Sequence, residues 1–237
     1  MLKSLLISAL TASIVLTGCN SGSANPTPSA TSETTTTASV TPSGQTISLM
    51  QPGLGEGVFI LPNFLVKFPV YGVQIIALAQ NNTDKLITAP EYVSADFLDA
   101  SGQKIGSAFG MLNNVPARSV KIFLMAGTDR VANYSKVNFQ IGQIIDGNPD
   151  QAKIKIGTPT VFNNISGAHV RVTIENLSGS SKSVVLIAGF FDANKKIVGS
   201  ATGGRLNLAP GTHELTLDSE ETISNYKYIQ VQLDSLL

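Results

Sequence analysis

The chain has 237 residues, of which 43% are hydrophobic and only 14% are charged, and its 16 basic residues balance its 16 acidic ones. This neutrality argues against a nucleic-acid partner, which would need a basic surface. A single cysteine excludes an intrachain disulfide and a zinc–thiolate site, and two histidines leave little material for catalysis, so the composition favours a non-enzymatic protein without cofactor or metal ion.

The first eighteen residues have the pattern of a signal peptide. Lys3 provides a positive charge, and residues 5–16 are apolar except for serine and threonine. This apolar run is shorter than the roughly 20 residues that span a bilayer, so we do not expect it to be a transmembrane helix. It ends in the segment Leu16-Thr17-Gly18-Cys19, which contains the only cysteine of the chain.

That segment resembles the lipobox of bacterial lipoproteins, in which small residues precede a cysteine. The resemblance implies that the Cys19 thiol receives a diacylglyceryl group and that Cys19 becomes the new N-terminus, anchored to the membrane by acyl chains such as palmitate. Asn20 stands where an aspartate would resemble an inner-membrane retention signal, so an outer-membrane location is favoured if the cell is Gram-negative. An ordinary secretory signal with an incidental cysteine is the alternative.

The next segment, residues 19–47, is predicted to be the lipidated cysteine followed by a disordered tether. Of the 27 residues from 20 to 46, 17 are Ser, Thr or Pro, and only Glu33 is charged. Such a composition buries too little apolar surface to offset its ordering entropy. The threonines at 34–37 are also compatible with O-glycosylation, although a plain spacer explains them as well.

The rest of the chain repeats itself. Residues 72–81 match 167–176 at an offset of 95, and further ordered matches follow at offsets of 92 to 94. These further matches pair 97–100 with 190–193, 105–108 with 198–201, Pro116 with Pro210, and 137–141 with 229–233. An internal duplication is predicted, with one domain at 48–150 and a second at 151–237.

Both copies alternate between apolar and polar residues with period two, which is typical of β-strands. The apolar positions are Ile75, Ala77, Ala79, Val120, Ile122, Leu124, Val137, Phe139 and Ile141, and then Val170, Val172, Ile174, Leu215, Leu217, Ile229, Val231 and Leu233. No long segment has a helical period, although 129–134 and 220–226 are expected to form single helical turns. The predicted fold is all-β, with two tandem immunoglobulin-like β-sandwiches after the tether.

Four residues are predicted to have structural roles at turns and corners. Asp99 and Asp192 each follow a strand, and their carboxylates are expected to cap backbone N–H groups of tight turns. Asn194, in the second of these turns, is a residue that tolerates positive φ. Tyr134 and Tyr226 each precede the last strand of a copy, where a tyrosine corner is expected, with the hydroxyl bonded to nearby backbone.

The arrangement of the strands resembles the FxLYD-type immunoglobulin-like domains of bacterial envelope lipoproteins. The matching stretches are Ala95-Asp96-Phe97-Leu98-Asp99 and Ala188-Gly189-Phe190-Phe191-Asp192, in which an apolar pair precedes the aspartate. The resemblance supports the sandwich prediction and implies an interaction or spacer module that has no catalytic residues.

Other candidate sites have simpler explanations. Residues 146–150 place oxygen ligands at alternate positions as a calcium loop does, but an interdomain linker explains them better. The acidic residues 218–221 are expected on a solvated face or helical turn. His169 and His213 have no counterparts in the first copy. The aromatic segment 58–71 is expected to form the first strands, and any part left exposed would mark a partner surface.

These patterns together predict a lipid-anchored cell-envelope protein that acts as a non-enzymatic binding or scaffold module. Its partners would be the membrane, through the lipid, and another envelope protein, but no nucleic acid. The alternative is a surface-exposed adhesin or coat-type lipoprotein, and a hydrolase is a third, less favoured class.

Replacement of Cys19 by alanine is expected to abolish incorporation of labelled fatty acid, because alanine has no thiol to form the thioether. The measurement is metabolic labelling followed by gel analysis, with and without globomycin. Ser21→Ala is the matched control and should be labelled as strongly as the natural chain. Label that persists in the Cys19→Ala protein, or that never appears in the natural one, would refute the anchor.

Overall fold

The structure is a computed structural model, and it describes residues 48–69, 71–87, 91–131, 133–142, 153–219 and 221–236. The signal peptide, the lipobox with Cys19, the tether and the segment 146–150 lie outside these residues. Within them the chain forms fourteen strands and no α-helix. The single helical turns expected at 129–134 and 220–226 are absent from the described parts of those segments.

Seven strands form an antiparallel sheet in the first half of the described chain. Their bounds are Val58–Ile60 (β1), Leu65–Lys67 (β2), Val73–Asn81 (β3), Glu91–Leu98 (β4), Lys104–Leu112 (β5), Ser119–Gly127 (β6) and Lys136–Ile141 (β7). The order along the sheet is β1-β3-β6-β5-β4-β7, and β2 also pairs with β3.

The second half forms a separate antiparallel sheet of seven strands. Their bounds are Ile154–Ile156 (β8), Thr160–Asn164 (β9), Gly167–Asn176 (β10), Lys182–Phe191 (β11), Ile197–Leu208 (β12), Gly211–Asp218 (β13) and Tyr228–Leu236 (β14). The order is β8-β10-β13-β12-β11-β14, and β9 also pairs with β10. The two sheets therefore have the same strand order, and the matched sequence segments occupy equivalent strands.

Each sheet folds over on itself into two layers. Only two residue pairs join β5 to β6, Phe109 with Ala126 and Gly110 with Met125, and a single pair joins β12 to β13. At this short seam the sheet turns, so that β3 and β6 face β4 and β5 across an apolar core, and the second half does the same. This arrangement confirms the prediction of an all-β fold with two β-sandwiches.

The glycine that begins each long inner strand is required by close packing. Gly72 and Gly167 have φ of +90° and +137°, in a region that favours glycine. A Cβ atom on Gly72 would lie 2.0 Å from the carbonyl oxygen of Gly127, and one on Gly167 would lie 2.2 Å from that of Ser219. Any side chain at either position would therefore push two strands apart.

A buried asparagine closes the loop after each of these strands. The Asn81 side chain is fully buried, and its Nδ2 donates to the carbonyl oxygens of Lys85, Val115 and Pro116 at 2.8 to 3.1 Å. At the matched position, Nδ2 of Asn176 donates to two carbonyl oxygens at 2.9 and 3.0 Å. Each buried side-chain amide thus has its own hydrogen-bond partners and ties together the backbone segments around its loop.

The two sandwiches pack against each other through a third apolar cluster, and they belong to one compact unit. From the first half the cluster takes the outer face of β3 and β6, and from the second half it takes parts of β11 and β12. Its buried members are Leu61, Ile76, Leu78, Val120, Ile122, Ile187, Phe191 and Ile197. Because β3 is covered on both faces, apolar residues occupy consecutive positions there and do not alternate strictly with polar ones.

Two side-chain amides tie the halves together in a reciprocal way. Gln232 of β14 accepts from the N–H of Ile122 at 2.8 Å and donates to the carbonyl of Val120 at 2.7 Å. Asn63 of the first half donates to the carbonyl of Lys195 at 2.8 Å and accepts from the N–H of Ile197 at 3.0 Å. Each amide bonds to the backbone of the other half as a neighbouring strand would, so the interface has a defined register.

Asn81→Ala and Asn176→Ala are each expected to lower the free energy of unfolding by about 2 to 3 kcal/mol, because several hydrogen bonds of a buried amide are lost at once. Asn194→Ala, at an exposed turn position, is the control and should change it by less than about 0.5 kcal/mol. Denaturant unfolding of the three proteins checks this. Losses at Asn81 and Asn176 no larger than the loss at Asn194 would contradict it.

Candidate functional site

Asp99 and Asp192 lie in the tight turns that follow β4 and β11. Oδ1 of Asp99 accepts from the backbone N–H groups of Ser101 and Gln103 at 2.8 and 2.9 Å. The Ser101 hydroxyl also donates to this oxygen, and these hydrogen bonds lower the pKa of Asp99. Oδ1 of Asp192 accepts from the N–H of Asn194 at 2.8 Å and from that of Lys196 at 2.9 Å. Both carboxylates are thus engaged in forming turns.

The residue with positive φ in the second of these turns is Lys195, with φ of +63°. The neighbouring Asn194, a residue that tolerates such a conformation, does not adopt it. The equivalent position in the first turn is Gly102, with φ of +83°. The geometry of the turn fixes which position is left-handed, and this outweighs the preference of the neighbouring asparagine.

Tyr134 and Tyr226 are engaged through their rings. Tyr134 packs edge-to-face on Phe97, with ring centroids 5.2 Å apart, and Tyr226 packs on Phe190 in the same way at 5.0 Å. Neither hydroxyl bonds to a residue that the structure describes, so the expected tyrosine-corner hydrogen bond is not seen there. Burial raises the pKa of Tyr226. Phe97 lies on β4 and Phe190 lies on β11. These ring pairs therefore pack β4 and β11 against the segments that precede β7 and β14.

His169 lies in a polar cluster that resembles a catalytic triad in composition. Its Nδ1 is 2.6 Å from Oδ1 of Asp218, and its Nε2 is 3.2 Å from Oγ of Ser166. The Ser166 hydroxyl, however, donates to Oδ1 of Asn164 at 2.6 Å, and the Ser166 N–H donates to the same oxygen at 2.8 Å. Because its proton is directed away from the histidine, the serine serves to close the β9–β10 turn and is not prepared as a nucleophile.

The other sequence-derived candidates are separated in the structure. His213 lies at the opposite end of the β10–β13 ladder from His169, and its Nε2 donates to the carbonyl of Ala209 at 2.9 Å. In the acidic segment, Glu221 forms an ion pair with Lys67 at 2.8 Å. The aromatic segment 58–71 contributes β1 and β2 and leaves Phe68 and Tyr71 exposed. No cluster of three or more His, Cys, Asp or Glu that could hold a metal ion occurs in the described ranges.

The most distinctive site is a cavity of about 510 Å³ between the two sandwiches, which we call the inter-sandwich cavity. Its second-half wall comes from β8 and β14, the two outermost strands in the order of that sheet. Its first-half wall comes from the loops before β6 and from the start of β6. The lining residues are Leu86, Asn114, Pro116, Ala117, Ser119, Val120, Lys121, Ile154, Ile156, Gln230, Val231, Gln232 and Leu233.

A buried lysine forms one end of this cavity. Lys121 of β6 is only 1% exposed, and its Nζ donates to the carbonyl oxygens of Asn113, Leu233 and Asp234. The last two distances are 2.9 and 2.7 Å, and both acceptors lie on β14. The three protons of the ammonium group are therefore all used, and two of them link the first half to the second.

Burial makes the charged form of Lys121 less favourable than it would be in water. Burial lowers the pKa of its amine from 10.5 to about 8, and the Asp234 carboxylate, 3.9 Å away, opposes this shift. Burial also raises the pKa of Asp234, against the attraction of the lysine. A charge taken out of water in this way is tolerated only where hydrogen bonds replace its hydration.

Two side-chain amides that line the cavity each have an oxygen without a hydrogen-bond partner. Oδ1 of Asn114 and Oε1 of Gln230 are both shielded from solvent, and neither accepts a hydrogen bond from any described residue. Asn114 is 7% exposed and has φ of +56°. Buried polar atoms are nearly always paired, and leaving one unpaired costs about 1 to 3 kcal/mol. Because both oxygens are covered by neighbouring atoms, a ligand in the cavity can bond to them only after the two side chains turn towards it.

Sequence reasoning did not single out Lys121, Asn114 or Gln230. Lys121 falls between the apolar residues Val120 and Ile122, where an alternating pattern predicts a solvent-facing side chain. In the structure Val120 and Ile122 face the second sandwich, while Lys121 is in phase with the core residues of β6. A lone lysine inside a strand that is otherwise apolar was the only available signal.

No protein-family model matches the sequence, and no curated protein matches it. In the parts of the chain that the structure describes, no helix has the length and apolar character needed to cross a bilayer.

The free energy of unfolding is expected to rise with pH above pH 7 because of Lys121. Between its folded pKa of about 8 and its unfolded value of 10.5, the unfolded chain binds more protons than the folded one, so deprotonation favours the folded state. The expected gain between pH 7 and 9.5 is roughly 2 kcal/mol, relative to Lys121→Met, which lacks the group. Denaturant unfolding at both pH values measures it, and parallel pH dependences in the two proteins would contradict it.

Proposed function

We propose that this chain is a lipid-anchored bacterial cell-envelope protein whose two sandwiches form a non-enzymatic binding module. The observation that carries the proposal is the inter-sandwich cavity, which is lined by two amides, Asn114 and Gln230, whose oxygens have no hydrogen-bond partner. A cavity of this size, mostly apolar and with a few convergent polar groups, is typical of binding sites.

The anchor is supported by the sequence of the first nineteen residues. The lipobox-like segment that ends at Cys19 would hold the protein at a membrane, by diacylglyceryl and further acyl chains, and two or more such chains give stable attachment. The Ser/Thr/Pro-rich residues 20–46 would then set the distance that the sandwiches can reach. An outer-membrane location is proposed for a Gram-negative cell, from Asn20.

The sandwiches are proposed to belong to the FxLYD type. The stretches on which this depends, 95–99 and 188–192, run from β4 and β11 into the Asp99 and Asp192 turns, and their phenylalanines pack on the two tyrosines. These contacts support a structural role for the motif, and they leave the cavity as the place where a partner would bind.

A binding role fits the chemistry of the cavity better than catalysis does. The ammonium of Lys121 is fully used by three carbonyl groups, so it is not available as a base or a nucleophile. The remaining polar groups of the lining are amides and the Ser119 hydroxyl, which donates to the carbonyl of Pro116. Groups of this kind recognise a ligand by hydrogen bonding and do not activate it.

A photo-crosslinking amino acid at Ala117, on the rim of the cavity, is expected to capture an envelope partner in living cells. The matched control is Ala209, which precedes Pro210 in the equivalent turn of the second half and does not line the cavity. Mass spectrometry of the adducts identifies the partner. A specific adduct at Ala117 that is absent at Ala209 supports the proposal, whereas no adduct at Ala117, or the same adducts at both positions, would refute it.

A further inference from the structure

We infer that the inter-sandwich cavity binds an extended, uncharged, apolar peptide segment of the partner, which adds to the second sheet as a strand beside β14. This inference rests on the proposed function, because it names the chemistry of the ligand at the same cavity. It depends on the outer edge of β14, the two unpartnered amides and the apolar lining.

The outer edge of β14 faces the cavity without a neighbouring strand. β14 pairs with β11 on one side and is the last strand in the order of its sheet. The Leu233 carbonyl points away from β11, because it accepts a hydrogen bond from Lys121. In an antiparallel ladder the direction alternates along the strand, so the N–H and C=O of Val231 point the same way, towards the cavity that Val231 lines.

The amides of Asn114 and Gln230 match the chemistry of a peptide backbone. Each offers one acceptor oxygen and one NH₂ donor, and a peptide group offers one donor and one acceptor in return. Asn114 lines the cavity from the first half and Gln230 lines it from β14. Once these side chains turn into the cavity, hydrogen bonds to a bound backbone would satisfy the two oxygens that are now covered and unpaired.

The lining selects apolar side chains without charge. Leu86, Ile154, Ile156, Val231 and Leu233 provide apolar contacts on several sides. Ile154, Ile156, Val231 and Leu233 also pack against the core of the second sandwich, so a bound side chain would extend that core. The one cation, Lys121, is already neutralised by Asp234 and by carbonyl groups, which leaves nothing in the lining to pair with a charged ligand.

Strand addition is an established way to use such an edge, with backbone hydrogen bonds giving affinity and alternate side chains giving specificity. Every second residue of the bound segment would face the cavity and the others would face solvent. The structure thus assigns a partner segment of a few residues in which apolar side chains alternate with polar ones.

The test is a selection of random heptapeptides, displayed with both ends blocked, against the full chain in detergent. The expected outcome is enrichment of peptides with apolar residues at alternate positions. The best of these should bind Gln230→Met at least tenfold more weakly than the natural chain, because methionine keeps the shape of the side chain but cannot form the hydrogen bond. Gln140→Met, at an exposed position on the edge strand β7, is the matched control and should bind with unchanged affinity.

Two further measurements keep the result interpretable. N-methylation of alternate amides in the selected peptide should abolish binding, because it removes the backbone donors. Bound peptide should also slow hydrogen exchange at the Val231 amide. Enrichment of peptides that bind Gln230→Met as tightly as the natural chain, or no enrichment at all, would overturn the peptide assignment. If Ala117 still crosslinks a partner in cells, the cavity remains a binding site and only the chemistry of its ligand is wrong.

Discussion

The relative placement of the two sandwiches depends on the burial of one ammonium group. Lys121 leaves β6 of the first half and donates to two carbonyl groups of β14 in the second half, while almost none of its side chain remains exposed. An ammonium buried without partners would cost several kcal/mol, so the folded state requires β14 to stay where its carbonyl groups meet the lysine. The apolar cluster between the halves supplies the driving force, and the lysine and the Gln232 and Asn63 amides supply the register.

The same constraint produces the candidate site. With β14 held at the start of β6, its outer edge faces the first half and pairs with no strand that the structure describes. The space between becomes a cavity, and Asn114 and Gln230 are left without partners inside it. The equivalent strand of the first half is β7, and it contributes no residue to the lining of this cavity. The packing of the two similar sandwiches, not their individual folds, therefore creates a site that neither sandwich has alone.

Much of the fold could be predicted from the sequence because its signals are local or repeated. Period-two alternation located β3, β7, β10 and β14, and the spacing of the repeat matched strands that prove to be equivalent. The candidate site could not be predicted in this way. Lys121 meets its acceptors on β14 across more than 110 residues of sequence, and the alternation in β6 marks the face towards the second sandwich, not the sandwich core. Likewise Lys195, and not Asn194, has a positive φ, because the geometry of the turn determines which of its residues is left-handed.

The central claim is that Lys121 and the groups it contacts join the two sandwiches into one cooperative unit. Differential scanning calorimetry of the full chain tests this claim most directly. The account predicts a single cooperative transition in which the calorimetric enthalpy equals the van't Hoff enthalpy. It also predicts that Lys121→Ala, which removes both the ammonium and the packing of its stem, separates this transition into two, because each sandwich keeps its own core when the link is lost. Two independent transitions in the natural chain, or one unchanged transition in Lys121→Ala, would contradict the account.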